Sequence, residues 1–159
     1  MASHLDCRAL GDPDRIVLMG HSAGASHVAS YLFHKHLWLD GGDGIIGAIL
    51  VSGGYDPTSR QSEARRAYYG EDQSRYAEQS PLHHVSARVV PIFIAFAEYD
   101  PPSYQLEAVG LFKALCERDG RCPPMKQLLG HNHVTEVYHL GTGDQSLSAD
   151  LLAFIRGLR

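Results

Sequence analysis

The sequence lacks long apolar runs, and none approaches the roughly 20 residues that a transmembrane helix needs. Its first residues, MASHLDCRALGDPDR, also lack the apolar core of a secretory signal peptide. Basic excess is missing too, since 14 Lys and Arg stand against 18 Asp and Glu, and no basic stripe is interleaved with aromatics. These absences exclude nucleic acid and membranes as expected partners and predict a cytoplasmic protein.

Cysteine is scarce, with three residues at Cys7, Cys116 and Cys122 and no pair of CxxC units. The odd number and the missing signal peptide favour reduced thiols, and a bridge between Cys116 and Cys122 across a helix end is the less favoured alternative. The ten histidines show no carboxylate or cysteine recurring at ligand spacing. We therefore expect neither a metal nor a cofactor.

What the sequence does contain is ordinary globular composition, 44% hydrophobic and 20% charged over 159 residues. That length predicts a single domain, 1–159, with a real core. Short apolar runs that are buried on both faces alternate with helical patterns, which predicts an α/β fold with a parallel sheet of about four strands and flanking helices. The strands are expected at 15–20, 45–52, 89–97 and 125–129, and the helices at 25–36, 106–118 and 147–158. Residues 53–88 read as a loop or small helical excursion.

The segment GHSAG, residues 20–24, joins the first strand to a helix of small residues. This G-x-S-x-G pattern is typical of a nucleophile elbow, a sharp turn that strains the serine backbone and exposes its hydroxyl. Gly20 and Gly24 are expected to allow the close backbone approach, because they have no Cβ. Ser22 is the candidate nucleophile and the N–H of Ala23 the candidate oxyanion donor. The alternative is an ordinary glycine-rich turn.

A serine nucleophile needs a base and an acid that orients the base. Asp100 follows the third strand, and His131 and His133 follow the fourth. Carboxyl ends of parallel strands meet at one edge of a sheet, so these side chains are expected near Ser22. The chain order Ser, Asp, His is that of an α/β-hydrolase. The plainer alternative is that Asp100 begins a turn and His133 is a loop residue.

The sequence resembles the carboxylesterases of the α/β-hydrolase superfamily, especially the esterase, lipase and kynurenine-formamidase-like branch. The resemblance lies in GDPDRIVLMGHSAGA, VSGGYDP, SPLHHV, AEYDP and GHNHVTEVYHLGTGD, which span most of the chain in the family's order. It implies Ser22 as nucleophile, Asp100 as acid and His133 as general base. It also implies hydrolysis of a small-molecule ester, with short acyl or aryl groups, through an acyl-enzyme and without a cofactor.

Weaker candidates remain for two of these roles. His131 is the second choice for the base, because the family's histidine usually closes this segment before a small apolar residue, as His133 does. Glu98 and Asp144 are the weaker candidates for the acid, and both residue types at such positions are more often solvated.

The sequence also departs from the family, whose members have further strands and a glycine-rich oxyanion loop before the elbow. Only twenty-one residues precede Ser22 here. This predicts a truncated α/β-hydrolase fold, the carboxyl-terminal half, with the triad but an incomplete oxyanion hole. One alternative is therefore a weak or inert chain that needs a partner chain to complete the hole. A peptidase with the same triad is the less favoured third possibility.

Missing neighbours would leave the elbow strand, Ile16–Met19, at an edge of the sheet. We therefore predict a homo-oligomer, most simply a two-fold dimer in which two elbow strands pair antiparallel. The alternative is that Met1–Asp14 folds over this edge.

Overall fold

The four predicted strands form one parallel sheet in a computed structural model that describes residues 11–60 and 62–158. The strands lie in the order β1-β2-β3-β4, and each pairs in parallel with its neighbour. They are β1 Ile16–His21, β2 Ile45–Val51, β3 Ile92–Ala97 and β4 Met125–Leu128. The predicted fold class, a four-stranded parallel sheet with flanking helices, is confirmed.

Six α-helices lie among the described residues: α1 Ala23–Phe33, α2 Glu63–Tyr69, α3 Tyr76–Gln79, α4 Pro102–Asp119, α5 Thr135–Tyr138 and α6 Ser148–Gly157. The three predicted helices correspond to α1, α4 and α6. Helix α4 begins earlier than predicted, because Pro102 suits the first turn of a helix, where its missing N–H is not needed. The segment 53–88 contains α2, α3 and the 3₁₀-helices Gln73–Arg75 and Pro81–Ala87.

The two central strands, β2 and β3, are buried on both faces, which explains their nearly continuous apolar sequences. On one face, Leu50 and Ile94 pack in a cluster with Leu111 of α4 and with α1. On the other face, Ile49 and Phe93 pack with the residues of α6. Adjacent strand residues therefore serve opposite cores.

The parallel arrangement brings the carboxyl ends of all four strands to one edge of the sheet. β1 runs directly into Ser22, β2 into Ser52, β3 into the segment 98–100 and β4 into the segment 129–134. Ser22, Asp100, His131 and His133 therefore all follow strands that end at the same edge of the sheet, whereas Asp144 lies in the loop before α6.

Strand β1 lies at an edge of the sheet that the described residues form, and β2 is its neighbour. Two of its side chains are well exposed for apolar residues, Ile16 at 37% and Met19 at 41%. The predicted dimer relies on this edge and stays a prediction, and the alternative cover, Met1–Asp14, lies mostly outside the described residues. Sedimentation velocity over a dilution series distinguishes the two.

The prediction of reduced thiols is wrong for one pair, because Cys116 and Cys122 form a disulfide. Helix α4 ends at Asp119, and Gly120 then adopts a left-handed conformation with φ 66°. This turn reverses the chain and brings the Cα atoms of the two cysteines within 4.2 Å. The cytoplasmic prediction loses the support that it took from reduced cysteines, and Cys7 lies outside the described residues.

Within the ranges 11–60 and 62–158, none of the helices combines the length and the apolar character that spanning a bilayer requires.

Candidate active site

Ser22 stands at the turn between β1 and α1 in a conformation that a residue with a side chain rarely adopts. Its φ is 55° and its ψ is −123°, a backbone strain of order 1–3 kcal/mol. The N–H of Ser22 donates to the Val51 carbonyl at 2.9 Å, and the Ser22 carbonyl accepts from the N–H of Ala25 at 3.0 Å. The sheet and the helix thus hold the turn from both sides, and the half-buried side chain points toward the carboxyl ends of the strands.

The two glycines of the elbow are not equivalent. A Cβ atom on Gly20 would lie 2.6 Å from the Ala25 nitrogen and against the Gly24 carbonyl. A Cβ atom on Gly24 would meet no atom within 4 Å. The expectation that the missing Cβ matters at both positions is therefore wrong for Gly24. The Gly24 backbone is the group that a Cβ on Gly20 would strike, and a Cβ on Gly24 itself would strike nothing.

His133 links the other two predicted residues. Its Nε2 lies 2.8 Å from Ser22 Oγ, and its Nδ1 lies 2.7 Å from Asp100 Oδ1. The Tyr104 ring stacks on the imidazole with a centroid distance of 4.7 Å and an interplanar angle of 23°. The structure thus brings Ser22, His133 and Asp100 into one continuous chain of hydrogen bonds.

Asp100 is buried, and its two oxygens have different partners. Oδ2 accepts from Ser52 Oγ at 2.5 Å and from the Ala97 N–H at 2.8 Å, which leaves Oδ1 for the imidazole. Ser52 is held at a positive φ of 48°, directly after β2. Because Oδ1 accepts from Nδ1–H of His133, the imidazole keeps Nε2 free to accept the Ser22 proton.

The weaker candidates lie elsewhere. His131 is buried and its Nε2 lies 3.1 Å from Ser146 Oγ. Glu98 Oε2 accepts from the Gly130 N–H at 2.7 Å, which braces the loop after β4. Asp144 Oδ2 lies 3.4 Å from His131 Nε2. These three side chains therefore bind groups other than Ser22 and His133.

Sequence reasoning missed a second carboxyl beside the imidazole, that of Glu136 in α5. Glu136 is 1% exposed, and its Oε1 lies 3.1 Å from His21 Nε2 and 3.8 Å from His133 Nδ1. Burial above all, together with the charge of Asp100, raises its pKa to about 7. The spacing His-x-x-Glu, with His133 in the turn directly before α5, was the available signal.

His21, the first variable residue of the G-x-S-x-G pattern, also contacts the Glu136 carboxyl. Its Nε2 lies 2.8 Å from the His133 carbonyl as well as 3.1 Å from Glu136 Oε1. Burial lowers the pKa of His21, and His133 lowers it further. A neutral imidazole with its proton on Nε2 satisfies both acceptors, so His21 fixes the backbone of the loop that carries His133.

The raised pKa of Glu136 predicts a specific pH dependence of stability. The pKa of this carboxyl is about 7 in the folded chain against an ordinary value of 4.5. Between these values the folded state binds the extra proton, so the free energy of unfolding falls as the pH rises. The Glu136→Gln variant cannot ionise. From about pH 5 to about pH 8 it should gain about 3 kcal/mol in unfolding free energy relative to the natural protein.

Urea unfolding at both pH values measures this difference. Glu117→Gln, which removes a carboxyl with a 68% exposed side chain on α4, is the matched control and should change little. Equal pH dependence in the natural protein and the Glu136→Gln variant would contradict the argument.

A cleft of about 250 Å³ opens beside Ser22. Its walls combine tyrosines and small side chains with two arginines, the exposed Arg60 and the largely buried Arg65. They also include Pro57, Ala64, Tyr68, Tyr69 and Tyr104. Tyr104 therefore contacts both the imidazole and the cleft. Its volume suits a small acyl or aryl group.

Glu107 of α4 holds one wall of the cleft in place. This buried carboxylate accepts from the N–H groups of Tyr55 and Asp56, from the Ser59 hydroxyl and from the Arg65 guanidinium. Arg65 also donates to the Asp56 carbonyl at 2.6 Å. The arginine charge is thus neutralised inside the protein, so the cleft does not present it as a free cation to a substrate.

The candidate oxyanion donor, the N–H of Ala23, stands at the first position of α1. The first N–H groups of a helix have no intrahelical acceptor, and the helix dipole favours negative charge there. The Ala23 residue is exposed and lines the cleft. The oxyanion that forms when Ser22 attacks a substrate carbonyl can therefore approach this donor.

Solved structures with a similar fold include peptidases and a protein described as a thioesterase. Dipeptidyl peptidase 4 of Porphyromonas gingivalis matches with a TM-score of 0.72 and 18% identity, over 93% of this chain and 20% of that chain. Acylaminoacyl peptidase of Pyrococcus horikoshii matches with a TM-score of 0.72 and 15% identity, over 94% and 25%. A Silicibacter sp. protein described as a thioesterase matches with a TM-score of 0.66 and 20% identity, over 89% and 50%.

No family model and no curated protein matches the sequence. The structural likeness and the parallel sheet together show that the chain has the α/β-hydrolase fold. The chain spans between 20% and 50% of the length of these three solved chains.

Proposed function

We propose that this chain is a serine hydrolase that cleaves carboxylic esters with short acyl or aryl groups. The observation that carries the proposal is the hydrogen-bond chain from Ser22 through His133 to Asp100, with distances of 2.8 and 2.7 Å. This is the geometry that nucleophilic catalysis by serine needs. The fold supports it, because α/β-hydrolases carry Ser, Asp and His in this chain order.

In the proposed reaction His133 Nε2 takes the proton of Ser22 Oγ as this oxygen attacks the ester carbonyl. The Ala23 N–H stabilises the oxyanion of the tetrahedral intermediate. The alkoxide leaves with the proton from His133, and an acyl-enzyme remains. Water, deprotonated by His133, then attacks the acyl group, releases the acid and restores Ser22.

The walls and volume of the cleft favour short esters over larger substrates such as peptides. Its aromatic wall suits an uncharged acyl or aryl group, and the Arg65 guanidinium is already paired with Glu107, whereas Arg60 is exposed at the wall. Its volume of about 250 Å³ is just below the range of about 300–1,000 Å³ that small-molecule sites usually have. A short ester fits within such a volume.

Peptide or acylaminoacyl substrates are the second candidate. The likeness to dipeptidyl peptidase 4 and to acylaminoacyl peptidase favours them, since their names state a peptidase activity and the fold is shared. The same triad serves both reactions, so the substrate class depends on the walls of the cleft. A third candidate is a chain with weak activity until a partner chain completes the oxyanion hole, because the loss of one oxyanion donor costs about 2.7–4 kcal/mol of barrier.

Labelling with a fluorophosphonate tests the nucleophile, and hydrolysis of p-nitrophenyl butyrate tests the reaction. Both signals should vanish in Ser22→Ala and persist in Ser30→Ala, which removes a hydroxyl from the same helix. Labelling that survives Ser22→Ala would rule out the assignment.

Two further substrates, compared with p-nitrophenyl butyrate, separate the candidates. Butyryl p-nitroanilide carries the same acyl group on an amide instead of an ester. Acetyl-alanine p-nitroanilide carries an acylated amino acid on the same leaving group. A higher kcat/KM for the ester supports the esterase, and a higher kcat/KM for the acylaminoacyl anilide supports the peptidase. Labelling of Ser22 without turnover of any substrate supports the chain that needs a partner.

A further inference from the structure

The chain folds three potential metal ligands together outside the candidate active site. His131 follows β4, His139 follows α5, and Asp144 lies in the loop before α6. Although their spacing along the sequence matches no common metal motif, their ligand atoms lie within 4.8 Å of one another. Two imidazoles and one carboxylate are a donor set that zinc and related divalent ions accept.

Two of the distances within the trio fit a small tetrahedral ion. His131 Nδ1 lies 3.2 Å from His139 Nδ1, and His139 Nδ1 lies 3.1 Å from Asp144 Oδ2. Two ligand atoms of a tetrahedral zinc ion are about 3.3 Å apart when each bond is about 2.0 Å. Both contacts therefore stand at the separation that two ligands of one ion have.

Hydrogen bonds outside the trio orient two of its members. The Ser146 N–H donates to Asp144 Oδ1 at 2.8 Å, which turns Oδ2 toward the histidines. Ser146 Oγ lies 3.1 Å from His131 Nε2. Asp144 Oδ2 lies 3.4 Å from the same nitrogen. A proton on Nε2 can therefore donate to either acceptor and leaves Nδ1 with a free lone pair, the arrangement that metal-binding histidines usually have.

We propose that His131, His139 and Asp144 form a binding site for one divalent transition-metal ion of the zinc type. The ion would tie the loop before α6 to the loop that carries His133, two residues after His131. Its role is structural, because the ligands are not part of the Ser22–His133–Asp100 chain. The inference does not depend on the proposed function.

A second trio, His21, His133 and Glu136, also has its ligand atoms together. Its imidazoles already have partners in the site, since His133 Nδ1 binds Asp100 and His21 Nε2 binds the His133 carbonyl. It therefore serves as the competing location in the test rather than as a second proposal.

The test is calorimetric titration of the chelator-treated protein with ZnCl2, together with the visible spectrum of the Co²⁺ complex and the thermal unfolding midpoint. We expect one ion per chain, a four-coordinate cobalt spectrum and a higher unfolding midpoint with zinc. His139→Gln and Asp144→Asn, which change partly exposed residues, should each weaken binding by at least about tenfold.

Two controls locate the ion. His36→Gln removes an exposed histidine outside both trios and should leave zinc binding unchanged. His133→Ala should also retain it. Absence of zinc binding by the natural protein, equal binding in His139→Gln and Asp144→Asn, or loss of binding in His133→Ala would each overturn the proposal.

Discussion

The Asp100→Asn variant is expected to lose roughly 10⁴-fold in kcat for ester hydrolysis while keeping its fold. The reason lies in the two donors that Asp100 Oδ2 accepts, the Ser52 hydroxyl and the Ala97 N–H. In the variant the amide oxygen must stay with these donors, so the NH₂ group faces His133. The imidazole then accepts at Nδ1, carries its proton on Nε2 and cannot take the proton of Ser22.

Kinetics with p-nitrophenyl butyrate measure the loss, and circular dichroism checks the fold. Glu98→Gln is the matched control, since Glu98 also follows β3 and its side chain accepts from the Gly130 N–H instead of from His133. That variant should keep its rate within a few-fold. A similar loss in both variants would mean that the acid has been misassigned.

The Gly20→Ala substitution should have the second large effect, on stability and activity together. Its methyl group would lie 2.6 Å from the Ala25 nitrogen, and the obstacle is backbone that cannot rotate away. The first turn of α1 must shift, and we expect a cost of about 3 kcal/mol in unfolding free energy. Because Ser22 and the Ala23 N–H move with this turn, kcat should fall by at least about 100-fold.

Gly24→Ala is the matched control, the same chemical change two residues after the nucleophile. Its methyl group meets open space, and alanine favours a helix over glycine by up to about 1 kcal/mol. Thermal unfolding should therefore show an unchanged or higher midpoint for Gly24→Ala and a lower one for Gly20→Ala. Equal effects of the two substitutions would contradict the proposed asymmetry.

The sheet and the three candidate residues were predictable because they follow from strong local patterns. Apolar runs mark where the strands end, and in a parallel sheet these ends meet, so Ser22, Asp100 and His133 had to begin near one another. The elbow was predictable because a sharp turn between a strand and a helix demands small residues. These patterns need no knowledge of side-chain packing.

The remaining features depend on contacts that no pattern records. The roles of Glu136 and His21 come from the way α5 folds back over the loop after β4. The disulfide depends on the left-handed turn at Gly120 rather than on the spacing of the cysteines. Glycine is needed at position 20 but not at position 24, because a Cβ on Gly20 would strike the backbone of Gly24 and a Cβ on Gly24 would strike nothing.

The hydrogen bond between Ser22 and His133 joins residues that are 111 positions apart in the chain. Such a long-range contact forms late in folding, because the entropy of closing the intervening chain must first be compensated by other contacts. Helices such as α4 form from local contacts and do not wait for the sheet. During refolding, helical signal should therefore return before a fluorophosphonate can label Ser22, which makes the nucleophile a reporter of the last steps of assembly.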